Sequence, residues 1–223
     1  NQLLEFRKMQ NNKLALSLEE TDVMAFLYEI FLSFNDAAES KNMDFKFLPS
    51  VASYKMFIDK GYLDKVTYNL LSNAFKYTPS GGKVTFSVTV DEAKKQLVIS
   101  VADSGVGIPK EKRNELFKRF MQSSFSGSSV GVGLHLTHEL VCVHKGTIVY
   151  TENEGGGSIF TVSLPTDISV YEEKDFLIPH NVLLEEEEVH HAAVLAGEIS
   201  AQEGEVELPS APLNKRKVLI IED

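Results

Sequence analysis

KVTFSVTVDEAKKQLVISVADSGVG, the stretch from Lys83 to Gly107, alternates apolar and polar residues twice over, first through Val84, Phe86, Val88 and Val90, then through Leu97, Ile99 and Val101. A period of two puts each set on one face of a strand, and the polar residues Asp91 to Gln96 between them mark a turn, so the stretch reads as a hairpin. Upstream, Leu63, Val66, Leu70 and Ala74 recur at helical spacing over about residues 61–76, and the pattern stops before Pro79 and Gly81-Gly82. Thr21 is expected to cap an earlier helix over residues 22–40, whose apolar residues from Val23 to Ala38 follow the i, i+3, i+4 rule. Downstream, a third helix begins near Gly133, and residues 146–151 and 157–164 supply another strand pair. No internal repeat is present. Strands gathered on one side and helices on the other give an α+β fold: a two-layer α/β sandwich with a mixed, largely antiparallel sheet packed on one layer of helices.

The chain has 223 residues, 43% of them apolar, enough for a sizeable core. No apolar run approaches the roughly 20 residues of a membrane helix. The formal charge of −10 belongs to one segment, because residues 171–213 hold eleven acidic residues and one lysine while the rest of the chain balances. No dense basic patch remains to neutralise a phosphate backbone, so direct nucleic-acid binding is not expected. The single cysteine, Cys142, cannot form an internal disulfide and sits in an apolar helical stretch, where a buried, inert thiol is expected. The chain opens on Asn1 with no charged-then-apolar leader, which reads as a piece of a longer protein.

Three polar constellations stand out. Asn69 and Asn73 lie four residues apart on the second helix, with Lys76 just beyond, so all three emerge along one stripe beside the buried face. Asparagine is a poor helix former, and two in mid-helix cost a few tenths of a kcal/mol each. A solvated polar face would show the same residues. The sharper reading is that the amide oxygens ligate a hard cation while the ammonium meets phosphate oxygens. Asp103 ends the second hairpin strand and is followed by Ser104, Gly105, Val106, Gly107 and Ile108. A carboxylate there suits an exocyclic amine such as that of adenine, with glycines admitting close backbone approach, although a turn leaving a strand uses the same residues. Gly131, Val132, Gly133 and Leu134 open the third helix, whose free N–H groups favour an anion. Between these glycine elements, Leu116, Phe117 and Phe120 lead into a small polar stretch from Gln122 to Ser129 that fits either a movable lid or an ordinary loop. Neither a P-loop nor a G-x-G-x-x-G signature occurs.

Taken in order, Asn69-Leu-Leu-Ser-Asn73-Ala-Phe-Lys76-Tyr77-Thr78-Pro79, Asp103-Ser-Gly105-Val-Gly107-Ile108, Leu116-Phe117 with Phe120, and Gly131-Val132-Gly133-Leu134 resemble the asparagine, first glycine, phenylalanine and second glycine boxes of sensor histidine kinases. The resemblance runs over about residues 1–165 and implies the ATP-binding catalytic domain shared with gyrase, heat-shock chaperone and mismatch-repair ATPases. It implies ATP and magnesium as cofactors. Asn73, with Asn69, would ligate magnesium, and Lys76 and Tyr77 would contact the phosphate and ribose side. Asp103 would read adenine, Gly105, Gly107 and Ile108 would shape the base pocket, and Phe117 and Phe120 would anchor the lid. Gly131, Val132, Gly133 and Leu134 would wrap the phosphates. Ser129 and Val130 depart from the Gly and Thr or Ser usual in the family. The related hydrolases place a water-activating Glu where this chain has Asn69, which favours phosphoryl donation over hydrolysis.

The ends resemble family pieces as well. Leu3 to Met9 is similar to the tail of a dimerisation helix, and Lys217 to Asp223, ending in Glu222 and Asp223, to the first strand of a receiver domain. The implied organisation is residues 1–20 as the end of the dimerisation helix and its connection, 21–166 as the ATP-binding domain, 167–214 as an acidic linker with some local order around Phe176 to Leu184, and 215–223 as the start of a receiver. The resemblance implies a hybrid kinase, membrane-anchored and homodimeric as a whole, of which this is a cytosolic portion. None of the six histidines has the His-Glu-x-x-Thr-Pro context of the family's phosphoacceptor, so a dimerisation domain is expected to supply it. Two readings remain beside kinase: an ATPase of the same superfamily, and a nucleotide-binding signalling scaffold without transfer activity.

Overall fold

The computed structural model describes residues 14–117 and 133–177. Its largest sheet has five strands: β2 (Asp44–Pro49), β4 (Lys83–Asp91), β5 (Gln96–Asp103), β6 (Thr147–Glu152) and β7 (Ser158–Pro165), in the spatial order β2-β4-β5-β7-β6. Only the β2–β4 pair is parallel, so the sheet is mixed and largely antiparallel as expected. The hairpin register sets Val84 opposite Asp103 and Val90 opposite Leu97, which brings Asp103 to the end of the sheet. Alternation then sorts the faces. Val84, Phe86, Val88, Leu97, Ile99, Val101, Phe160 and Val162 are buried on one face, while Thr85, Ser87, Ser100 and Thr161 lie on the other.

The buried face meets α1 (Val23–Leu32), α3 (Lys60–Tyr77) and α5 (Gly133–Val143), which contribute Leu27, Leu63, Leu70, Leu71, Leu140 and their neighbours to one core. A short α2 (Asn35–Ser40), a four-residue α4 (Lys110–Arg113) and a two-stranded sheet of β1 (Glu19–Asp22) with β3 (Lys55–Ile58) complete the described elements. Among the described residues no helix is long and apolar enough to cross a membrane.

Several expectations are corrected here. The helix anticipated over 22–40 is two helices: Ser33 Oγ donates to the Ile30 carbonyl at 2.6 Å, the first helix stops, and Phe34 turns inward against Phe75. Its cap is Asp22, not Thr21. Asp22 accepts the Met24 and Ala25 N–H groups and also the Ser53 hydroxyl, whereas Thr21 sits in β1 opposite Met56. The Ser53 hydrogen bond outweighs partial burial and holds the Asp22 carboxyl below its ordinary pKa. Cys142 is exposed, because α5 buries Leu136, Thr137, Leu140 and Val141 and leaves residue 142 on the opposite side. Burial of part of the side chain still pushes its thiol pKa up, with Glu139 adding to the shift.

Residues 168–177, expected to belong to the acidic linker, are ordered against the domain. Residues 168–170 and 173–175 form 3-10 turns, the Leu18 N–H donates to Asp175 O and the Leu177 N–H to Leu18 O, both at 2.8 Å, and the Phe176 ring lies 5.3 Å from that of Phe57. Phe57 and Phe176 give this strap an apolar anchor that charge composition alone conceals. The expected receiver strand, the rest of the linker and the dimerisation tail through residue 13 lie outside the described residues.

Candidate nucleotide site

α3 carries the polar ridge. Asn69 and Asn73 are half-buried and Lys76 is exposed, with its ammonium 5.3 Å from the centre of the Tyr77 ring. Asn69 faces α5: its Nδ2 donates to Thr137 Oγ1 at 2.8 Å, and a Cβ placed on Gly133 would lie 2.5 Å from Asn69 Oδ1. A side chain at residue 133 would therefore displace the Asn69 amide from this position. The Asn73 amide has no hydrogen-bond partner among the described residues. Two amides one turn apart, one oriented by a neighbour and one unengaged, form a donor set suited to an oxygen-seeking cation such as magnesium.

Asp103 lies beside the C-terminal end of α3. Its side chain is 5% exposed, and Oδ1 accepts the Gly105 N–H at 2.8 Å and the Ser158 N–H at 3.2 Å. Burial dominates and raises the carboxyl pKa, while those two N–H bonds oppose the shift. Gly105 packs so tightly on α3 that a Cβ there would stand 2.5 Å from the Tyr77 carbonyl oxygen, which also receives the Val106 N–H at 3.4 Å. The strand tip and the C-terminal end of the asparagine helix are thus in direct backbone contact, which puts Asp103 beside the end of the ridge.

Gly107 has φ of 67° and turns the chain past Gly157. Ile108 packs against the core, and its carbonyl accepts Arg113 Nε at 2.9 Å. Arg113 in turn pairs with Glu152 at 3.0 Å and lies over the Tyr150 ring, fastening the glycine loop to β6. Phe117 is half-buried, its carbonyl oxygen 2.9 Å from His135 Nδ1 and its ring stacked on His138 at 5.6 Å. Gly133 and Leu134 begin α5, with Leu134 packed on the core. Phe120, Gly131 and Val132, along with Ser129 and Val130, lie outside the described residues.

Four contributors went unread in the sequence. Thr137 holds Asn69. Asn153 Nδ2 donates to the Asp103 carbonyl at 2.8 Å, Ser158 supplies an N–H to the carboxylate, and a Cβ on Gly157 would overlap the Asp103 carbonyl oxygen. The Gly155-Gly156-Gly157 run was the available signal, since three successive positive-φ glycines mark a hairpin bent for close backbone approach. A separate open apolar groove of about 710 Å³, lined by Met24, Tyr28, Phe31, Phe45 and Phe47, lies between α1 and β2 and shares no residue with this site.

Residues 58–168 match the family described as histidine kinase-, DNA gyrase B-, and HSP90-like ATPase. Histidine kinase P4 of Formosa agariphila is 38% identical over 173 residues, spanning 74% of this chain and 12% of that protein. Hybrid signal transduction histidine kinase D of Dictyostelium discoideum is 32% identical over 174 residues, 74% of this chain and 11% of its own length. The solved structure of the Acinetobacter baumannii histidine kinase AdeS superposes with a TM-score of 0.61 at 26% identity, covering 74% of this chain and 76% of that one. The chain spans about an eighth of the length of the first of these relatives. These matches lie across both the amide ridge and the buried carboxylate: the chain belongs to this family and carries the ATP-binding catalytic domain of a sensor histidine kinase.

Proposed function

We propose that the domain binds magnesium-ATP and donates the γ-phosphoryl group to a histidine on a dimerisation domain, from which an aspartate of a receiver domain takes it. The observation that supports this reading is the direct contact between the Asp103 loop and the last turn of α3, which brings the buried carboxylate, read as contacting the base, next to the ridge read as the phosphate side. In the transfer, the bond from the γ-phosphorus to the bridging oxygen breaks and ADP leaves, a phosphorus–nitrogen bond forms, and the imidazole releases its N–H proton. Little covalent help is asked of the protein, whose task is positioning and charge neutralisation.

Each residue has a role in that scheme. Asp103 accepts the adenine amine and rejects a base bearing a carbonyl there. Lys76 faces the phosphates as a point charge, and Tyr77 lies on the ribose side. Asn69 and Asn73 would hold magnesium, which neutralises charge on the phosphate oxygens. An amide at residue 69 has no basic site to take a proton from water, which supports transfer over hydrolysis. The ending Lys217 to Asp223 and the hybrid relative support a receiver in the same protein. The whole protein is read as a membrane-anchored homodimer with this portion in the cytosol.

Calorimetric titration of the chain with ATP and GTP in magnesium tests the reading. ATP should bind, with GTP weaker by about 100-fold or more because the guanine carbonyl meets a carboxylate. Equal affinities would refute the base assignment. An added dimerisation domain that stays unphosphorylated while ATP binds would leave a nucleotide-binding scaffold instead.

A further inference from the structure

Thr137 lies in α5, 1% exposed, and its hydroxyl has a single proton to give. That proton goes to the Gly133 carbonyl, 3.0 Å away in the preceding turn. The same oxygen is 2.8 Å from Asn69 Nδ2, and with its proton committed it can only accept there. The polarity of the Asn69 amide follows from this chemistry: NH2 toward Thr137, Oδ1 away from it. In that orientation Oδ1 is the amide atom nearest to a Cβ built on Gly133, at 2.5 Å, with Nδ2 at 3.3 Å.

We propose that Thr137 is a positioning residue for the metal site: by accepting from Asn69 Nδ2 it locks the amide with its carbonyl oxygen presented to the cation. The proposal rests on the reading of Asn69 and Asn73 as magnesium ligands. Without the hydroxyl the amide turns freely, and any orientation that directs NH2 at a cation is repulsive, so metal binding weakens while contacts to the base do not. Valine at 137 keeps the shape of threonine and deletes only the acceptor. Serine keeps the acceptor and deletes only the methyl group.

The test uses the full chain with ADP as nucleotide, titrated with magnesium chloride, and separately with ADP in EDTA. Thr137→Val should raise the half-saturating magnesium concentration about tenfold or more, the usual consequence of losing a hydrogen bond that orients a ligand. Its ADP affinity in EDTA should stay within about twofold, and Thr137→Ser should restore the magnesium response. Unaltered magnesium dependence in Thr137→Val, or an equal loss with and without metal, would overturn the proposal. The side-chain NH2 signals of Asn69 in the unmutated protein, assigned by their loss in Asn69→Asp, give a readout independent of variant folding. They should exchange slowly with solvent, and fast exchange would also overturn the proposal. Wild-type ADP binding that ignores magnesium would remove the underlying metal reading, a result distinct from failure of the threonine's role alone.

Discussion

α3 begins in a cluster of mutually satisfied polar groups and ends beside the candidate nucleotide site. Asp59 caps the helix by accepting the Tyr62 N–H at 2.9 Å on one oxygen, and the other oxygen accepts the Ser17 N–H at 3.0 Å. The Asp59 N–H donates to His144 Nε2 at 3.2 Å, so the imidazole carries its proton on Nδ1, 3.0 Å from the Leu140 carbonyl. Tyr171 closes the cluster by donating its hydroxyl proton to the His144 carbonyl at 2.9 Å, and burial pushes the pKa of that phenol up to about 12. The far end instead carries the Asn73 amide, which has no hydrogen-bond partner among the described residues, an exposed Lys76, and a carboxylate whose pKa burial raises. One helix thus has a capping cluster at the end that ties in Ser17 and Tyr171 and the candidate binding groups at the other. Groups that must meet a ligand cannot be fully spent on each other.

The sharpest way to break that contrast is Asp103→Asn. Its carbonyl oxygen can still accept from Gly105 and Ser158, but its NH2 opposes the adenine amine, so nucleotide affinity should fall about a thousandfold in a calorimetric titration. Stability should move the other way. The folded pKa of Asp103 is raised, so the folded chain binds its proton more readily than the unfolded chain and loses that stabilisation as pH rises through the folded value. Removing the charge should leave the melting temperature at neutral pH unchanged or higher, and a large drop would mean the carboxylate is structural.

Asp59→Ala attacks the closed end. It deletes a helix cap and leaves the Ser17 N–H without its acceptor, which should cost about 2–3 kcal/mol in denaturant unfolding. Affinity for nucleotide, measured where the protein is folded, should hardly change. A loss of binding larger than the loss of stability would mean that the two ends are coupled.

The smallest effect sharpens the same comparison by pH. Burial lowers the His144 pKa, against opposing contributions from its bond to Leu140 and the charge of Asp59. The unfolded chain therefore takes up a proton that the folded chain resists, and stability is full above the unfolded pKa of about 6.5 and declines as pH falls below it. His144→Asn should flatten the unfolding free energy between pH 7 and 5 relative to wild type. An unchanged slope would show that another group controls the acid limb.

What was legible early was whatever repeats locally. The alternation from Val84 to Val101 set the hairpin, and the spacing of Leu63, Val66 and Leu70 set the central helix to within a residue at each end. β2 escaped notice because Asp44–Pro49 is short, ends in proline and lies at a sheet edge, with only Phe45 and Phe47 packed on the core. The four boxes named Asn69, Asn73, Asp103 and their glycines without needing any contact. Thr137, Asn153 and Ser158 were not legible, since each matters only through a partner 50 or more residues away.

The sequence by itself thus determined the hairpin, the asparagine helix and the family, because periodicity and box spacing are properties of neighbouring residues. Tertiary structure alone decided that Cys142 faces outward, that the segment after Pro165 packs back on Leu18 and Phe57, and that Thr137 orients Asn69. Those outcomes depend on which helix face meets the sheet and on which donors find acceptors, and that is settled only when distant elements compete for the same space.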